Sequence, residues 1–447
     1  MTHAATIHIG IVGTGPSGCY LADALLRKMP NARIDMFDRL PTPFGLVRGG
    51  VAPDHQGTKN ITRQFERTFA KNNVRFLGHV DIGRDVSIAE LQQAYDIIAI
   101  ATGALEDRPL GIPGEALPGV YGSGAFVGWY NGIPDYRDLA PKLDGHSVAV
   151  VGNGNVALDI ARLLAKTPDE LANSDMCAHA RDAFSQSRIQ DIWLIGRRGP
   201  LEASFTTAEL SEFGNMARLH PAVYAGQLPK EVPDNLPDEQ RKVAEKNLDV
   251  LREFSTRPSP DGNVIRLHFL FNAAPVAILG EATIREIELE HTRLEHGRLV
   301  MTGERRRIPV QTVISAIGYR SRAIEGLPFD AARGIIANDQ GRVAPGIYTT
   351  GWCKRGPQGV VPANRADALA VTELIAADFS GFTESSRPGG SLVDALLKDR
   401  QITPVDFAGW QRINNAEVAA GSAAGRPREK ISRLTELLAV AQASSTG

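Results

Sequence analysis

The sequence predicts an α/β protein of two doubly wound units, with the second unit inserted into the chain of the first. Two glycine-rich turns about 140 residues apart predict the units, because each follows a short apolar strand and opens a helical pattern. A later apolar strand, TVISAIGYR, reaches Gly318 and marks the return to the first unit. The expected first unit therefore comprises residues 1–106 and 319–447, and the inserted unit comprises residues 107–318.

The first turn lies in the run IHIGIVGTGPSGCY, whose glycines are Gly13, Gly15 and Gly18. In this pattern the first glycine permits a tight turn, the second lets the backbone approach a pyrophosphate, and the third packs helix on strand. Pro16 and Ser17 stand at the start of the helix, where unpaired N–H groups and the positive end of the helix dipole favour a phosphate. The run therefore predicts a dinucleotide-binding loop.

The second turn, in SVAVVGNGNVALDIARLL, repeats this design, but the strands after the two turns end in opposite charges. Asp38 lies 20 residues past Gly18, where a carboxylate can accept hydrogen bonds from a free ribose 2′-hydroxyl and would repel a 2′-phosphate. At the equivalent place in the second unit stand Arg197 and Arg198, whose planar guanidinium groups suit a 2′-phosphate. The first site is therefore expected to take FAD or NAD, and the second NADP.

The remaining elements follow from apolar runs and from glycine and proline residues between them. YDIIAIATGA predicts a buried strand that terminates at Thr102 and Gly103. GIYTTGW predicts a short strand that leads into Trp352, and the turn at Gly359 opens a long helix whose N–H groups would face a cofactor carbonyl. The other expected elements are a helix near 61–69, a strand near 74–77, a connector at 109–119, a surface helix or excursion within 229–260, and small helices after 381, one starting at 403–404 and another at about 427.

The composition is that of an ordinary globular protein, with 447 residues, 43% hydrophobic and 22% charged. A formal net charge of −2 gives no reason to expect a nucleic acid or an anionic membrane as partner. No apolar run approaches the roughly 18 residues that span a bilayer. The chain enters its first strand by Ile7, which leaves no room for a signal peptide, so we expect a cytoplasmic location.

The three cysteines, Cys19, Cys177 and Cys353, are isolated from one another in the sequence, without a C-x-x-C pair or metal-ligand spacing. Many flavoproteins with two dinucleotide sites relay electrons through a redox-active cysteine pair. Without such a pair, electrons are expected to pass directly from the flavin to an acceptor. No metal site is expected.

Taken together, the motifs closely resemble the adrenodoxin reductase family of ferredoxin–NADP⁺ reductases. The resemblance covers nearly the whole chain through the collinear runs GTGPSG, PFGLVRGGVAPDH, ATGA, IPGEALPGVY, AFVGWYNG, VVGNGNVALDIAR, GRRGPLEASFTTAEL, SAIGYRS and GWCKRGPQGVV. It implies two Rossmann-like, three-layer nucleotide-binding domains, with FAD bound by residues 1–106 and 319–447 and NADP bound by the inserted residues 107–318.

The resemblance also implies which residues contact each cofactor. The family has Glu more often than Asp at position 38, but either carboxylate reaches the ribose. FAD contacts beyond the turn and the strand end at Thr102 and Gly103 fall on Ser17, Asp38, Leu46, Ile82, Trp352, Gly359, Val360 and Val361. NADP contacts fall on Asn153, Gly154, Asn155, Val156, Arg197, Arg198, Glu209 and Gly359.

His55 and Glu209 are the candidates for helping hydride transfer, which otherwise needs only the alignment of two rings. The resemblance places both positions near the nicotinamide and the flavin, where Glu209 would hold the carboxamide and His55 would move protons or orient Glu209. The alternative for His55 is a hydrogen-bonded loop histidine. Trp352 either walls the flavin or belongs to the core, and the arginine pair is either a phosphate site or a solvated pair.

The resemblance implies an NADPH:ferredoxin oxidoreductase in which NADPH gives a hydride to FAD and electrons then pass singly to an acidic [2Fe–2S] ferredoxin. The protein is expected to be a monomer or weak oligomer. A docking patch is expected at Arg241, Lys242, Lys246 and Arg252, although an amphipathic charged helix is an equal alternative. Rival functions are a reductase of quinones or other small acceptors and a flavin-binding redox sensor. A glutamate synthase small-subunit type is disfavoured, because its N-terminal cysteine-rich domain is missing here.

Overall fold

The computed structural model describes residues 6–258, 262, 264–359 and 361–443. The strands are β1 His8–Val12, β2 Arg33–Asp38, β3 Val74–Gly78, β4 Ile97–Ile100, β5 Glu106–Asp107, β6 Val120–Gly122, β7 Ser147–Val151, β8 Asp191–Ile195, β9 Leu219–Val223, β10 Ile265–Leu270, β11 Ala273–Gly280, β12 Ile284–Glu295, β13 Arg298–Pro309, β14 Thr312–Ser315, β15 Tyr319–Arg320, β16 Phe329–Asp330, β17 Ile335–Ile336, β18 Arg342–Ala344 and β19 Ile347–Thr349. The helices are α1 Pro16–Lys28, α2 Leu46–Gly49, α3 Gln56–Lys59, α4 Thr62–Phe69, α5 Ile88–Ala94, α6 Ser123–Asn131, α7 Asn155–Ala165, α8 Ala178–Ser185, α9 Thr207–Glu212, α10 Asp238–Thr256, α11 Trp352–Arg355, α12 Ala363–Asp378, α13 Gly390–Asp399, α14 Phe407–Ala423 and α15 Leu434–Gln442.

The chain divides into two compact units. Unit 1 comprises Met1–Glu106, Asn131–Pro134 and Tyr319–Gly447, and unit 2 comprises Asp107–Tyr130 and Asp135–Gly318. The sequence boundaries assign the short segment Asn131–Pro134 to the inserted unit instead. Its place in unit 1 has a physical reason, because the Asn131 amide donates a hydrogen bond to the Val51 carbonyl (3.3 Å) and accepts one from Lys430 Nζ (3.0 Å).

Unit 1 is built on a six-stranded sheet of order β18-β19-β4-β1-β2-β3. All neighbouring strands pair in parallel except the edge pair β18–β19. Consecutive strands β1, β2 and β3 extend the sheet in one direction, and β4 returns to the other side of β1. This reversal creates a crevice at the carboxyl ends of β1 and β4, the usual ligand position in such sheets.

Both faces of the unit 1 sheet are buried, which explains its continuous apolar strands. Ile97 and Ala99 of β4 face the apolar cluster that includes residues of α1 and α12, while Ile98 and Ile100 face the cluster that includes residues of α5 and α13. All four side chains are at most 1% exposed. The sheet therefore carries its loops on a rigid, doubly covered core.

The C-terminal tail forms three helices, α13, α14 and α15, but two of the expected starts are wrong. Residues 403–404 precede α14 rather than start it, because the Asp406 carboxylate caps the helix by accepting from Gly409 N (2.7 Å). The last helix starts at Leu434 rather than near 427. The segment before it is held instead by Glu417, which accepts from the main-chain N–H of Ile431 (3.0 Å).

Unit 2 contains a second six-stranded sheet, β6-β14-β7-β8-β10-β9, in which every neighbouring pair is parallel. The chain reverses direction across the sheet at β7, which lies between β8 and β14. Apolar residues of β7, Ala149 and Val151, pack into a cluster with Ile287 and Leu289 of β12. The fold class expected from the sequence, two Rossmann-like units with one inserted into the other, is confirmed.

The antiparallel sheet β11-β12-β13 that covers part of unit 2 is not among the elements expected from the sequence. The sequence does contain a strand pattern for this sheet, because the run IREIELEHTRLE in β12 alternates apolar and charged residues over much of its length. Among the described helices, none combines the length and apolar character that a bilayer-crossing segment needs.

Candidate functional site: two dinucleotide-binding turns

The first glycine-rich turn of unit 1 requires glycine at two positions. Gly13 has φ +106°, and a Cβ there would lie 2.4 Å from the Ala101 carbonyl oxygen. A Cβ on Gly18 would lie 2.0 Å from the Gly13 carbonyl oxygen, so any side chain would push α1 away from the turn. The turn is anchored to β2 by a hydrogen bond from Gly13 N to Phe37 O (2.7 Å).

The N-terminus of α1 is available to a ligand. Gly15 is its N-cap, in extended conformation, and no side chain caps the helix. Pro16 occupies the first helical position, and Ser17 is buried behind it. A Cβ on Gly45 would lie 2.9 Å from the Gly15 Cα, so two glycine backbones meet here without side chains between them. This arrangement fits a group that must approach main-chain N–H donors closely, such as a pyrophosphate.

Asp38 ends β2, where the ribose-binding carboxylate was expected. One of its oxygens accepts from Thr14 N (3.1 Å) and Thr14 Oγ1 (2.5 Å), and the other accepts from Leu40 N (3.1 Å). Burial raises the pKa of Asp38, while these hydrogen bonds oppose the rise. A carboxylate offers about four acceptor positions. Asp38 therefore braces the glycine turn and keeps acceptor capacity for a ribose hydroxyl.

The other expected FAD residues of the N-terminal segment differ in exposure. Leu46 is half-buried and starts α2. Thr102 and Gly103 follow β4 and are also half-buried. Gly103 has φ +72°, and a Cβ at this position would meet no atom within 4 Å, so its Cα faces open space. Ile82 lies in the apolar core at 4% exposure, which leaves little of its side chain for a ligand.

Trp352 opens α11 directly after Gly351, which has φ +75°. A Cβ on Gly351 would lie 2.0 Å from Ser17 Oγ, so this strand end packs tightly against the start of α1. The indole is partly exposed, donates to Gln358 O (3.1 Å), and stacks near the Tyr319 ring at a centroid distance of 6.4 Å. The structure thus gives Trp352 an accessible ring beside the turn, unlike a core tryptophan.

The turn at Gly359 precedes α12, which begins at Ala363 and has no side-chain cap. Gly359 has φ +79°, and Val361 is half-buried. Val360, expected to contact FAD, lies outside the described residues. Near the start of α12, the Asp367 carboxylate accepts from Gly351 N (2.5 Å) and ties this helix to the strand end before Trp352.

Two supporting residues of this region, Asn364 and Asp367, are absent from the residues expected from the sequence. Asn364 Oδ1 accepts from Ser17 Oγ (3.2 Å) and from Arg355 (2.9 Å), and Asp367 also pairs with Lys354 (2.8 Å). Both polar residues lie in the first two turns of α12, three residues apart. That spacing places them on one helix face, and this was the available signal.

The glycine turn of unit 2 repeats the geometry of the first. Gly152 has φ +146°, a Cβ there would lie 2.3 Å from the Ala316 carbonyl oxygen, and its N–H donates to Ile195 O (2.8 Å). Gly154 is the extended N-cap of α7, again without a side-chain cap. Asn153 packs directly on Gly196, where a Cβ would overlap the Asn153 amide. The expected contacts from Asn153 to Val156 therefore surround a second open helix N-terminus.

Arg197 and Arg198 follow β8 immediately after Gly196, in a bend rather than in the strand itself. Both side chains are exposed. In the part of the chain that the structure describes, no carboxylate lies within ion-pair distance of either guanidinium group, whereas other arginines of unit 2, such as Arg257 and Arg266, are paired with carboxylates. Two unpaired cations beside an open helix N-terminus suit a phosphate.

Glu209 lies in α9, which is tied to the same turn. The N–H of Thr206 donates to Asn155 Oδ1 (2.8 Å), and Thr206 Oγ1 caps α9 by accepting from Glu209 N (3.4 Å). The Glu209 carboxylate lies 3.9 Å from Arg162, which is 1% exposed and also pairs with Asp159 (2.6 Å) and Glu212. Asn155 therefore positions the helix that carries the candidate carboxylate.

His55 is half-buried and is the N-cap of α3, with its N–H donating to Ala52 O (3.0 Å). It belongs to unit 1, whereas Glu209 belongs to unit 2. The main-chain contacts of His55 fit the loop-histidine alternative as well as the helper role. Its catalytic role therefore stays a prediction.

The four basic residues of the expected docking patch all lie in α10, and Arg241 and Arg252 are half-buried. Arg241 is paired with Asp234 (2.8 Å) and Glu245 (3.0 Å), and Arg252 with Asp249 (3.3 Å), which weakens their net charge. Lys242 and Lys246 are exposed. The lysines therefore carry most of the patch's available positive charge.

The three cysteines are free and buried. Burial raises the pKa of Cys19 and of Cys353, which disfavours their reactive thiolate forms. Cys177 lies in unit 2, apart in sequence from the other two. These thiols have the character of small apolar core residues, in agreement with the prediction from their isolated positions.

Comparisons with known proteins agree with this geometry. A family model described as pyridine nucleotide-disulphide oxidoreductase matches residues 7–196. The mitochondrial NADPH:adrenodoxin oxidoreductase of Bos taurus is 38% identical over 98% of this chain and 92% of its own length. NADPH-ferredoxin reductase FprA of Mycobacterium leprae is 39% identical over 97% of this chain and 98% of its own. The solved structure of Mycobacterium tuberculosis FprA in complex with NADPH has 39% identity and a TM-score of 0.92, and covers 98% of this chain and 100% of that chain.

Each of these alignments covers nearly the full length of this chain and of the relative. The similarity therefore extends over the whole protein and is not limited to one glycine motif. The resemblance inferred from the sequence is confirmed, and the chain belongs to the adrenodoxin reductase family of NADPH-ferredoxin reductases.

Proposed function

We propose that this protein is an FAD-dependent NADPH:ferredoxin oxidoreductase. The observation that carries the proposal is the pair of open glycine turns with opposite charges behind them, Asp38 in unit 1 and Arg197 with Arg198 in unit 2. A carboxylate selects a dinucleotide with a free ribose, and an arginine pair selects a 2′-phosphate. Unit 1 accordingly binds FAD and unit 2 binds NADPH.

In unit 1 the residues of the turn bind and orient the FAD. Gly15, Ser17 and Gly18 offer main-chain N–H donors to the pyrophosphate, while Gly13 forms the tight turn and Pro16, which has no N–H, starts the helix. Asp38 accepts from the adenosine ribose. Leu46, Ile82, Thr102, Gly103, Trp352, Gly359, Val360 and Val361 are the proposed contacts to the rest of the cofactor. Bound FAD supplies the capacity to accept a hydride from NADPH and to release electrons singly.

In unit 2 the residues Asn153, Gly154, Asn155 and Val156 hold the NADPH pyrophosphate at the N-terminus of α7. Arg197 and Arg198 bind the 2′-phosphate. Glu209 contacts the nicotinamide carboxamide, with Arg162 and the Thr206 cap fixing the position of its helix. His55 orients Glu209 or carries protons. Since hydride transfer depends on ring alignment, these residues act by positioning.

An anaerobic experiment tests the proposal. Purified protein should be yellow, and mixing with NADPH should bleach the flavin absorbance rapidly, whereas NADH should act much more slowly. A flavin-binding redox sensor would bind NADPH without rapid bleaching. A colourless preparation that cannot be reconstituted with FAD would refute the proposal.

A ferredoxin is the proposed electron acceptor, of the acidic [2Fe–2S] type, with Lys242 and Lys246 of α10 contributing to its docking. Replacing both lysines with glutamate should raise KM for ferredoxin and leave KM for a small dye unchanged. An unchanged KM for ferredoxin in the lysine variant would remove the patch from the proposal.

A reductase of quinones or other small acceptors is the second candidate, because the open turns alone do not choose an acceptor. Steady-state assays with ferredoxin and with quinones separate the two: higher kcat/KM for the quinone would favour the second candidate. The cytoplasmic location and the state as a monomer or weak oligomer stay predictions.

A further inference from the structure

Main-chain hydrogen bonds hold the bend that carries the two arginines, residues 196–198. Gly196 N donates to Leu270 O (2.8 Å), Ala273 N donates to Gly196 O (2.9 Å), and Asn272 N donates to Arg198 O (3.0 Å). The acceptors and donors come from the end of β10 and the start of β11. These three bonds involve main-chain atoms alone, so they do not depend on the identity of a side chain.

One further bond to this bend comes from a side chain. Thr292 Oγ1 donates to the Arg197 carbonyl oxygen at 2.7 Å. Thr292 lies in β12 and is 0% exposed. Its own N–H donates to Asn272 O (2.9 Å), so Thr292 contacts both the bend and the residue that bonds to Arg198.

The position of Thr292 in the sheet is unusual. The β12–β13 pairing shifts in register between Glu290 and Thr292, as in a β-bulge. Bulges re-aim side chains and commonly lie beside functional sites. Here the irregularity lies at the residue whose hydroxyl reaches the arginine bend.

The arginine side chains need such support from the main chain. Arg197 and Arg198 are exposed, and no carboxylate of the described residues holds either guanidinium group. A long side chain that is free in solution loses rotamer freedom when it binds a phosphate. Fixing the Cα positions in advance reduces the further ordering that binding requires.

We propose that Thr292 is a positioning residue for the 2′-phosphate of NADP(H) and contributes to the preference over NAD(H). Its hydroxyl holds the Arg197 carbonyl, and thereby the bend that presents both guanidinium groups. This inference rests on the proposed function, because it takes the arginine pair as the 2′-phosphate site. It assigns a specificity role to the antiparallel sheet, which otherwise serves as a cover for the apolar face of unit 2.

The test compares binding of 2′,5′-ADP with binding of 5′-AMP to the purified flavoprotein by titration calorimetry. The two probes differ only in the 2′-phosphate. Thr292→Val removes the hydroxyl and keeps the branched shape and the main-chain bonds. We expect about two- to fivefold weaker binding of 2′,5′-ADP and unchanged binding of 5′-AMP. The net worth of one neutral hydrogen bond is the upper limit of this loss, because the bond also forms in the free protein.

Thr292→Ser keeps a hydroxyl and should restore the affinity for 2′,5′-ADP. Thr302→Val is the matched control, since Thr302 Oγ1 donates to the His291 carbonyl (3.0 Å) in the same sheet without contacting the arginine bend. Its ratio of affinities should equal that of the wild type. Thr292→Ala should show the same loss of affinity as Thr292→Val, and it replaces that variant in the test if Thr292→Val does not fold.

Two results would overturn the inference. The first is that Thr292→Val or Thr292→Ala keeps the wild-type ratio of the affinities for 2′,5′-ADP and 5′-AMP. The second is that Thr302→Val loses as much affinity for 2′,5′-ADP as Thr292→Val does. A failure of the proposed function looks different: the wild-type protein itself would then bind 2′,5′-ADP no better than 5′-AMP. A loss of stability alone would lower the melting temperature and leave the ratio unchanged, which also counts against the positioning role.

Discussion

Replacing both Arg197 and Arg198 with alanine should move the preference for the nicotinamide cofactor from NADPH toward NADH. The two guanidinium groups are exposed and unengaged by carboxylates among the described residues, so their removal leaves no buried charge behind. The main chain of the bend keeps its bonds to Asn272 and Thr292 in the variant. The change should therefore affect the phosphate contact and spare the fold.

The size of the effect follows from the exposure of the pair. A hydrogen bond to a charged group contributes about 1.5–3 kcal/mol, and solvent screening at an exposed site favours the lower end. Two such contacts contribute about 3 kcal/mol together, which corresponds to a loss of roughly a hundredfold in kcat/KM for NADPH. The value for NADH should change by less than about threefold, since NADH has no 2′-phosphate to lose.

The assay is reduction of a small dye with each nicotinamide cofactor, which avoids any effect on ferredoxin docking. Arg293→Ala serves as the control, because Arg293 is an exposed arginine of the same unit that pairs with Glu295 at 2.7 Å. It should behave as the wild type. If the double variant retained the wild-type ratio of NADPH to NADH activity, the assignment of the 2′-phosphate to this bend would be wrong.

Three further expectations concern other parts of the molecule. Gly18→Ala should purify with little flavin, because its Cβ would lie 2.0 Å from a main-chain oxygen, while Gly57→Ala, with nothing within 4 Å, should keep a full flavin absorbance ratio. Glu209→Gln should slow flavin reduction by NADPH about tenfold in stopped flow through misplacement of the nicotinamide, yet bind 2′,5′-ADP as the wild type does. Glu417→Gln should lower the free energy of unfolding by about 3 kcal/mol at pH 7 in denaturant titrations, since it breaks a buried pair. Burial would raise the pKa of Glu417, but the charges of Arg48 and Arg428 outweigh this effect and hold the pKa below 4.5. The difference in the free energy of unfolding between wild type and variant should therefore persist above pH 4.5 and shrink as the pH falls below it. A difference that does not depend on pH would contradict this expectation.

The features that the sequence predicted well are local or depend on strict spacing. The conformation of the glycine turns and the places of Asp38 and the arginine pair at strand ends follow from local spacing, so a single sequence shows them, while their roles toward a ligand stay predictions. The cysteines are another case, because isolation in sequence already disfavours a redox pair. The parallel sheets follow from apolar strands that are buried on both faces.

The features that were missed depend on contacts distant in sequence. Nothing near Asn131 indicates that Val51 and Lys430 hold it in unit 1. The first-turn proline at 404 resembled a helix start, but the stronger cap at Asp406 determined where α14 begins. The same holds for Thr292, whose buried hydroxyl gains significance only from its distance to the Arg197 carbonyl.

The order of pairing in the unit 1 sheet has a consequence for how the protein is made. Ile98 of β4 pairs with Ile347 of β19, which is 249 residues later in the chain (347 minus 98). During synthesis, the ribosome completes the whole inserted unit before β19 emerges. Until then, the edge of β4 that pairs with β19 has no partner strand. The strands of unit 2 all lie between β4 and β19 in the chain, so unit 2 can fold first. Nascent chains released before residue 347 should therefore acquire nucleotide-binding ability in the inserted unit while remaining prone to aggregation through the unfinished sheet.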